Sequence, residues 1–328
     1  MNILLSRTDR LGDLILSTPA VATVRRSFPA ARIAMVCSDY NKVVMERNDD
    51  VDELVTLAAN FPPVKAGARF AGSCDLAIAL APRGADFAVV RASRARRRVG
   101  YTYVRRYLTR ATARRSLTTL ALSDADPYLS ELDPHRHVRH EVNQLLDLVA
   151  VAGAHRRVTE LRVDLNDADR RFVAGYPAGA VTVHLAQRWL RDGSTLESSL
   201  ELLRALRKLA RPLLVTSGAE CAQAAEFLRG SGVADAVVDR LEFHQWAALF
   251  EKSACVVTVD TAATHLASAM RRPTVVAFEH RFFRLSSQEW APYGVPSVLL
   301  QKPADSSDAS LKQLRARIVE AVSTLLHA

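Results

Sequence analysis

"LLSRTDRLGDLILSTPAV", residues 4–21, is the stretch whose reading decides the fold. Leu4 and Leu5 close an apolar run, residues 6–13 are mostly polar, and Leu14, Val21 and Val24 then recur on one side at helical spacing. The pattern predicts a buried strand turning into a helix, and in such a unit ligands gather at the strand's C-terminal edge and the helix N-terminus. The Gly12-Asp13 pair falls at that edge, and an acidic residue there asks for a chemical reason.

The same grammar recurs along the chain. Strand candidates in the first half are "NILLS", "RIAMVC" (32–37), "ELVTL" (53–57) and "CDLAIAL" (74–80). In the second half they are "AVTVHL" (180–185), "PLLVTS" (212–217), "ACVVTV" (254–259) and "PTVVAF" (273–278). Helical patterns lie at 140–153, 196–210, 219–229 and 243–252, and short apolar runs alternating with helices signal parallel α/β architecture. A polar stretch at 164–179 reads as a linker. The expectation is an α/β protein of two Rossmann-like domains, 1–165 and 166–328, with parallel sheets facing across a cleft.

The 328 residues carry 49% hydrophobic and 24% charged side chains, enough for two cores. A formal charge of +9 favours an anionic partner: nucleic acid, anionic lipid or a phosphorylated substrate. Cys37, Cys74, Cys221 and Cys255 are widely spaced with no C-x-x-C pair, which predicts reduced buried thiols in a cytosolic protein. No apolar segment follows a basic start, and no run approaches a membrane span. The expected location is the cytoplasm, with work at the inner-membrane surface compatible.

Several motifs carry chemistry. In "VTVDTAATHLASAM" (257–270) a strand ends before Asp260 and Thr261, and a helix of small residues follows. Its first-turn N–H groups suit a diphosphate, Thr261 adds a hydroxyl, and His265 sits one turn in. A plain N-capped helix is the bland reading of the same residues. In "SGAECAQAAEF" (217–227) Glu220 is placed to accept from ribose hydroxyls, or simply to complement a helix dipole. The segment "RASRARRRVGYTYVRRYLTRATARRS" (91–116) holds ten arginines, three tyrosines and no acid. It fits nucleic acid, a phosphorylated glycolipid or an anionic membrane, with solubilising charge as the bland alternative. "DAD" at 124–126 and 167–169 and "HRHVRH" (135–140) have metal-like spacing but lie in loop-like sequence, so no metal site is assigned. Neither a G-x-S-x-G elbow, a P-loop nor a G-x-G-x-x-G is present.

Together these residues resemble glycosyltransferase family 9, the ADP-heptose:lipopolysaccharide heptosyltransferases. The carriers are "R-x-D-x-x-G-D" (Arg7, Asp9, Gly12, Asp13), Pro19 with "RRSFPAARIAMV", "NDDVDELV", "CDLAIAL", "RRRVGY" and "HEVNQLLDLV". The family's Asp-Thr-Gly-x-x-His-x-Ala-x-Ala is similar to Asp260-Thr261-Ala262-x-x-His265-x-Ala267-x-Ala269, and "WAPYG" (290–294) to its closing segment. The resemblance implies a GT-B fold with the donor nucleotide in the second domain. It also implies that Asp13 is the general base of an inverting, metal-independent transfer, the one carboxylate such chemistry needs. Two departures stand out. The family's donor-phosphate lysine has no counterpart in "HLAQRWLRDGST", where Arg188 or Arg191 stands in, and Ala262 replaces the glycine.

The resulting expectation is a glycosyltransferase moving heptose from ADP-heptose to a lipopolysaccharide core or related envelope glycan. No cofactor is expected, the nucleotide sugar being a substrate. Asp13 is the catalytic residue. Gly12, Arg188, Arg191, Glu220, Asp260, Thr261, Ala262 and His265 are assigned to the donor, and Lys65, Arg96, Arg97 and Arg98 to an anionic glycolipid acceptor. The rivals are a same-fold enzyme using another nucleotide sugar, such as a UDP-sugar epimerase, and a nucleic-acid-binding module.

Overall fold

The computed structural model describes residues 1–123, 125, 127–133, 135–190, 195–209 and 212–327. The chain divides into two compact units, Met1–Val163 and Asp164–Ala328.

The first unit runs β1 (Asn2–Ser6), α1 (Leu11–Ser27), β2 (Arg32–Ser38), β3 (Glu53–Leu57), α2 (Pro63–Ala68), β4 (Leu76–Ala79), α3 (Gly84–Ala92), β5 (Arg97–Tyr103), α4 (Tyr107–Ser116), β6 (Thr119–Ser123), α5 (Pro127–Leu132) and α6 (Glu141–Val151). Its six parallel strands lie in the order β3-β2-β1-β4-β5-β6. Leu4 pairs with Ala34 on one side and Ala77 on the other, so β1 is central and covered on both faces, which explains its unbroken apolar run. One core packs Leu4, Val36, Ala77, Phe87 and Val90.

Helix α1 is buried along most of its length and holds Pro19 in its interior. Proline has no N–H for the Ile15 carbonyl, and the Thr18 hydroxyl donates to that oxygen instead, at 2.8 Å. The same hydroxyl accepts from the Arg162 backbone N–H at 2.9 Å. Helices α2 and α3 approach so closely that a Cβ on Gly67 would stand 2.1 Å from the Val89 carbonyl oxygen.

The second unit runs α7 (Asp167–Phe172), β7 (Val181–Leu185), α8 (Gln187–Leu190), α9 (Leu196–Leu209), β8 (Leu213–Ser217), α10 (Ala222–Ser231), β9 (Ala236–Asp239), α11 (Phe243–Glu251), β10 (Cys255–Val259), α12 (Ala262–Ala269), β11 (Thr274–Phe278), α13 (Phe283–Glu289), β12 (Ser297–Gln301) and α14 (Asp308–His327). Its strand order is β12-β11-β10-β7-β8-β9, again all parallel. Val183, Leu203, Leu206, Val215, Val257 and Val322 form its core.

Four strands escape the pattern reading: β5, β6, β9 and β12. Three of these are sheet edges whose side chains are mostly half-buried, which blunts the apolar signal. The fourth, β5, lies inside the arginine-rich 91–116 segment, which is therefore a helix end, a strand and a helix. The expected linker at 164–179 contains α7. Its Asp167-Ala168-Asp169 opens that helix, with Asp169 and Asn166 capping each other, so this metal-like spacing is a capping box. Asp124 and Asp126 lie outside the described residues. All four cysteines are free thiols. Among the described residues no helix is long and apolar enough to cross a membrane.

Candidate active site

In each sheet the strand order reverses at one place: between β1 and β4 in the first unit, and between β7 and β10 in the second. The crevice outside the strand ends at such a point is where open α/β sheets bind ligands.

At the first point, Arg7 leaves β1 and is buried at 2% exposure. Its guanidinium donates to Leu80 O at 2.7 Å, to Glu141 Oε1 at 2.9 Å and to Asp9 Oδ1 at 3.0 Å. Glu141 also accepts from the Tyr101 hydroxyl at 2.9 Å. It is the first residue of α6, whose N-cap His140 accepts from Val142 N through Nδ1. Asp86, in the first turn of α3, accepts from Ser6 Oγ at 2.7 Å and from Thr8 N and Oγ1 at 3.1 Å. On the other flank Asn41 donates to Arg7 O at 3.1 Å. The turn after β1 is thus held from both sides.

Asp13 occupies the third position of α1, with its side chain 20% exposed and one oxygen 3.8 Å from Arg7. Burial raises its pKa to about 7; Arg7 opposes the rise, and the negative charges of Asp9 and Glu141 add to it. Asp86 is pushed up to about 6, again chiefly by burial. Asp13 is therefore a carboxylate that exchanges a proton near neutrality, within reach of solvent, at the edge where ligands bind. Gly12 is buried beside it in α1.

At the second point, Arg188 on α8 donates through Nη1 to the Asp260 backbone oxygen at 2.7 Å and to Oδ2 at 2.6 Å. The pair spans the two strands flanking the reversal. Thr261, extended at φ −149° and ψ 179°, starts α12 without capping it; its hydroxyl donates back to Val259 O at 3.3 Å. The Thr261 side chain makes no cap hydrogen bond, and the Thr264 N–H bonds the Thr261 carbonyl at 3.1 Å, so the N–H groups of Ala262 and Ala263 head the helix at the edge. Ala262 is half-buried and His265, one turn in, is 5% exposed. The structure thus brings Arg188, Asp260, Thr261, Ala262 and His265 together.

The remaining sequence-assigned residues are more scattered. Glu220 is exposed just past β8, one strand further along the same edge. Arg191 lies outside the described residues. Lys65 is exposed in the first turn of α2, on the C-terminal side of the first sheet. Arg96, Arg97 and Arg98 stand at the start of β5, the opposite edge from Asp13. Arg97 donates to Val151 O and Ala152 O, and Arg98 to Ser116 O and Ala95 O.

Sequence reasoning missed three groups. Glu141 reaches Arg7 from far along the chain and Tyr101 bonds Glu141, while Lys302, 5% exposed, bonds Glu279 and the Arg188 carbonyl. His184 is buried against Thr216, Trp246 and Phe250, and burial pushes its pKa down to about 3, so its ring stays neutral. A short helix start marks Glu141; Lys302 and His184 have no local signal.

Residues 207–307 match the family model of glycosyltransferase family 9 (heptosyltransferase). The match covers under a third of the chain, all of it in the second unit. The glycosyltransferase family 9 structure from Veillonella parvula superposes with a TM-score of 0.79 at 16% identity, covering 99% of this chain and 97% of that one. ADP-heptose lps heptosyltransferase II of E. coli superposes at 0.74 with 14% identity, covering 99% and 98%. E. coli heptosyltransferase WaaC, solved with ADP-2-deoxy-2-fluoro heptose, superposes at 0.70 with 19% identity, covering 98% and 99%. At these identities the likeness establishes the fold, a GT-B-like α/β architecture. No curated protein matches the chain in sequence. Asp260, Thr261 and His265 lie inside the segment that is similar to the family model.

Proposed function

We propose that this protein is a glycosyltransferase that transfers heptose from ADP-heptose to a lipopolysaccharide core or related envelope acceptor, with inversion, without a metal, and at the cytoplasmic face of the inner membrane. Asp13 carries the reading: a partly exposed carboxylate held near pKa 7 is matched to general-base work at neutral pH. In the proposed step the acceptor hydroxyl oxygen attacks the anomeric carbon as its proton passes to Asp13. The bond from that carbon to the diphosphate oxygen breaks, and the electron pair leaves with the nucleoside diphosphate. The departing charge is met by the N–H groups at the start of α12 and by Arg188. Glu220 serves the ribose, and Lys65 the anionic acceptor.

The test is Asp13→Ala in the full chain. Turnover is expected to fall by about 10²–10⁴-fold, with the thermal shift given by ADP unchanged. Unchanged turnover removes Asp13 from the chemistry. A thermal-shift panel of nucleotide sugars tests the donor: greater stabilisation by a UDP-sugar than by ADP-heptose would overturn that part of the reading.

A further inference from the structure

Two tips rise from the C-terminal edge of the first unit's sheet, one on either side of the strand that leads to Asp13. One joins β3 to α2 and exposes Phe61 (41%), Val64 (55%) and the amine of Lys65. The other joins β5 to α4 and exposes Val104 (41%), Tyr107 (71%) and Leu108 (88%), interleaved with Arg105 and Arg106. With β2, β1 and β4 between them, β3 and β5 are four strand spacings apart, about 19 Å. Single exposed apolar side chains are ordinary; five of them gathered on two tips of one edge are not.

The second tip is also built rather than loose. Arg110 donates to Val104 O at 2.8 Å and its guanidinium lies 5.6 Å from the Tyr107 ring centroid, while Arg106 lies 4.7 Å from that of Tyr103. These contacts hold the tip in shape with Tyr107 and Leu108 turned to solvent.

We propose that this edge docks on an anionic phospholipid bilayer, Leu108, Tyr107 and Val104 entering the headgroup boundary with Phe61 and Val64 as a second foothold. Charge selects the occupant. The segment from Arg91 to Ser116 carries no carboxylate, and Asp39, beyond β2, is paired with Lys42 at 3.5 Å. Apolar tips ringed by cations are the pattern that binds anionic membrane surfaces. A second copy would bring the same arginines against each other, and although Tyr107 and Phe61 offer rings to a nucleobase, Val64, Val104 and Leu108 gain nothing from nucleic acid. The inference rests on the membrane-side reading above and deepens it. Asp13 lies between the footholds, which suits an acceptor anchored in the same bilayer.

The experiment is co-sedimentation of the full chain with vesicles of phosphatidylcholine alone or mixed with phosphatidylglycerol. Wild type is expected to sediment with the mixed vesicles only, less at high salt. Leu108→Glu, at a fully exposed position, is expected to lose binding at least tenfold, and Arg105→Ala/Arg106→Ala to lose it comparably, both keeping the ADP thermal shift. No wild-type binding, or wild-type binding by Leu108→Glu, overturns the proposal. So does a dimer that Leu108→Glu dissolves, which assigns the tips to a second copy, or tighter binding to RNA than to vesicles. Vesicle binding needs no donor and the Asp13→Ala assay needs no vesicle, so either result stands when the other fails.

Discussion

Arg7 brings one positive charge among three carboxylates, and of these it bonds Asp9 and Glu141 directly. Asp13, at 3.8 Å, receives only part of that charge, so desolvation prevails and the group titrates near 7. The acid limb of kcat/KM is therefore expected near pH 7, activity falling below it as Asp13 takes up a proton. Glu141→Gln removes a negative neighbour and releases Arg7 toward Asp13. The limb should move to lower pH, and a pH–rate profile with no such movement would disprove the coupling. The same shift bears on stability. A carboxylate whose folded pKa exceeds its unfolded value destabilises the fold above the folded pKa, and that cost fades as pH falls toward the unfolded value. Asp13→Asn should thus melt higher than wild type at pH 8, the gain shrinking between about pH 7 and pH 4; a lower melting point at pH 8 would contradict the assignment. At this scale Arg7, Asp9 and Asp13 were legible as one motif. Their tie to Glu141 was not, because 134 residues separate Arg7 from Glu141 and no periodicity reports a contact so distant.

Among elements, the central strands were readable because burial on both faces leaves continuous apolar runs. The edges were not, and β5 hid behind the arginines at its exposed start. Close helix packing was equally invisible, although Gly67 shows what it requires. Gly67→Ala sets a methyl against the backbone of Val89, and overpacking of this kind costs about 1–3 kcal/mol. Calorimetry should record a melting point lower by about 2–4 °C per kcal/mol for a domain of this size. The uncapped start of α12 depends on Arg188 in a comparable way. Arg188→Ala would leave the Asp260 carboxylate beside an incoming diphosphate, so ADP affinity is expected to fall about tenfold or more by titration calorimetry. Unaltered affinity would mean that the helix N–H groups bind alone.

Over the whole chain, each unit buries its own core, and a polar stretch follows the border at Val163 and Asp164. The net charge of +9 indicated an anionic partner without locating it, because charge is a sum and position is not. The arginines of one segment lie on two opposite edges of a sheet, which only the fold could reveal. Hydrogen exchange can separate the two kinds of anion site. ADP should slow exchange most at the first turn of α12 and around Arg188; protection concentrated in 91–116 would favour a polyanion reader instead.

One hydroxyl has a mechanical consequence. Because Thr18 both repairs the gap left by Pro19 and receives the amide of Arg162, the strand of chain departing the first unit is tethered to the helix that carries Asp13. A pull on that departing chain would be delivered five residues from Asp13, bypassing the sheet altogether.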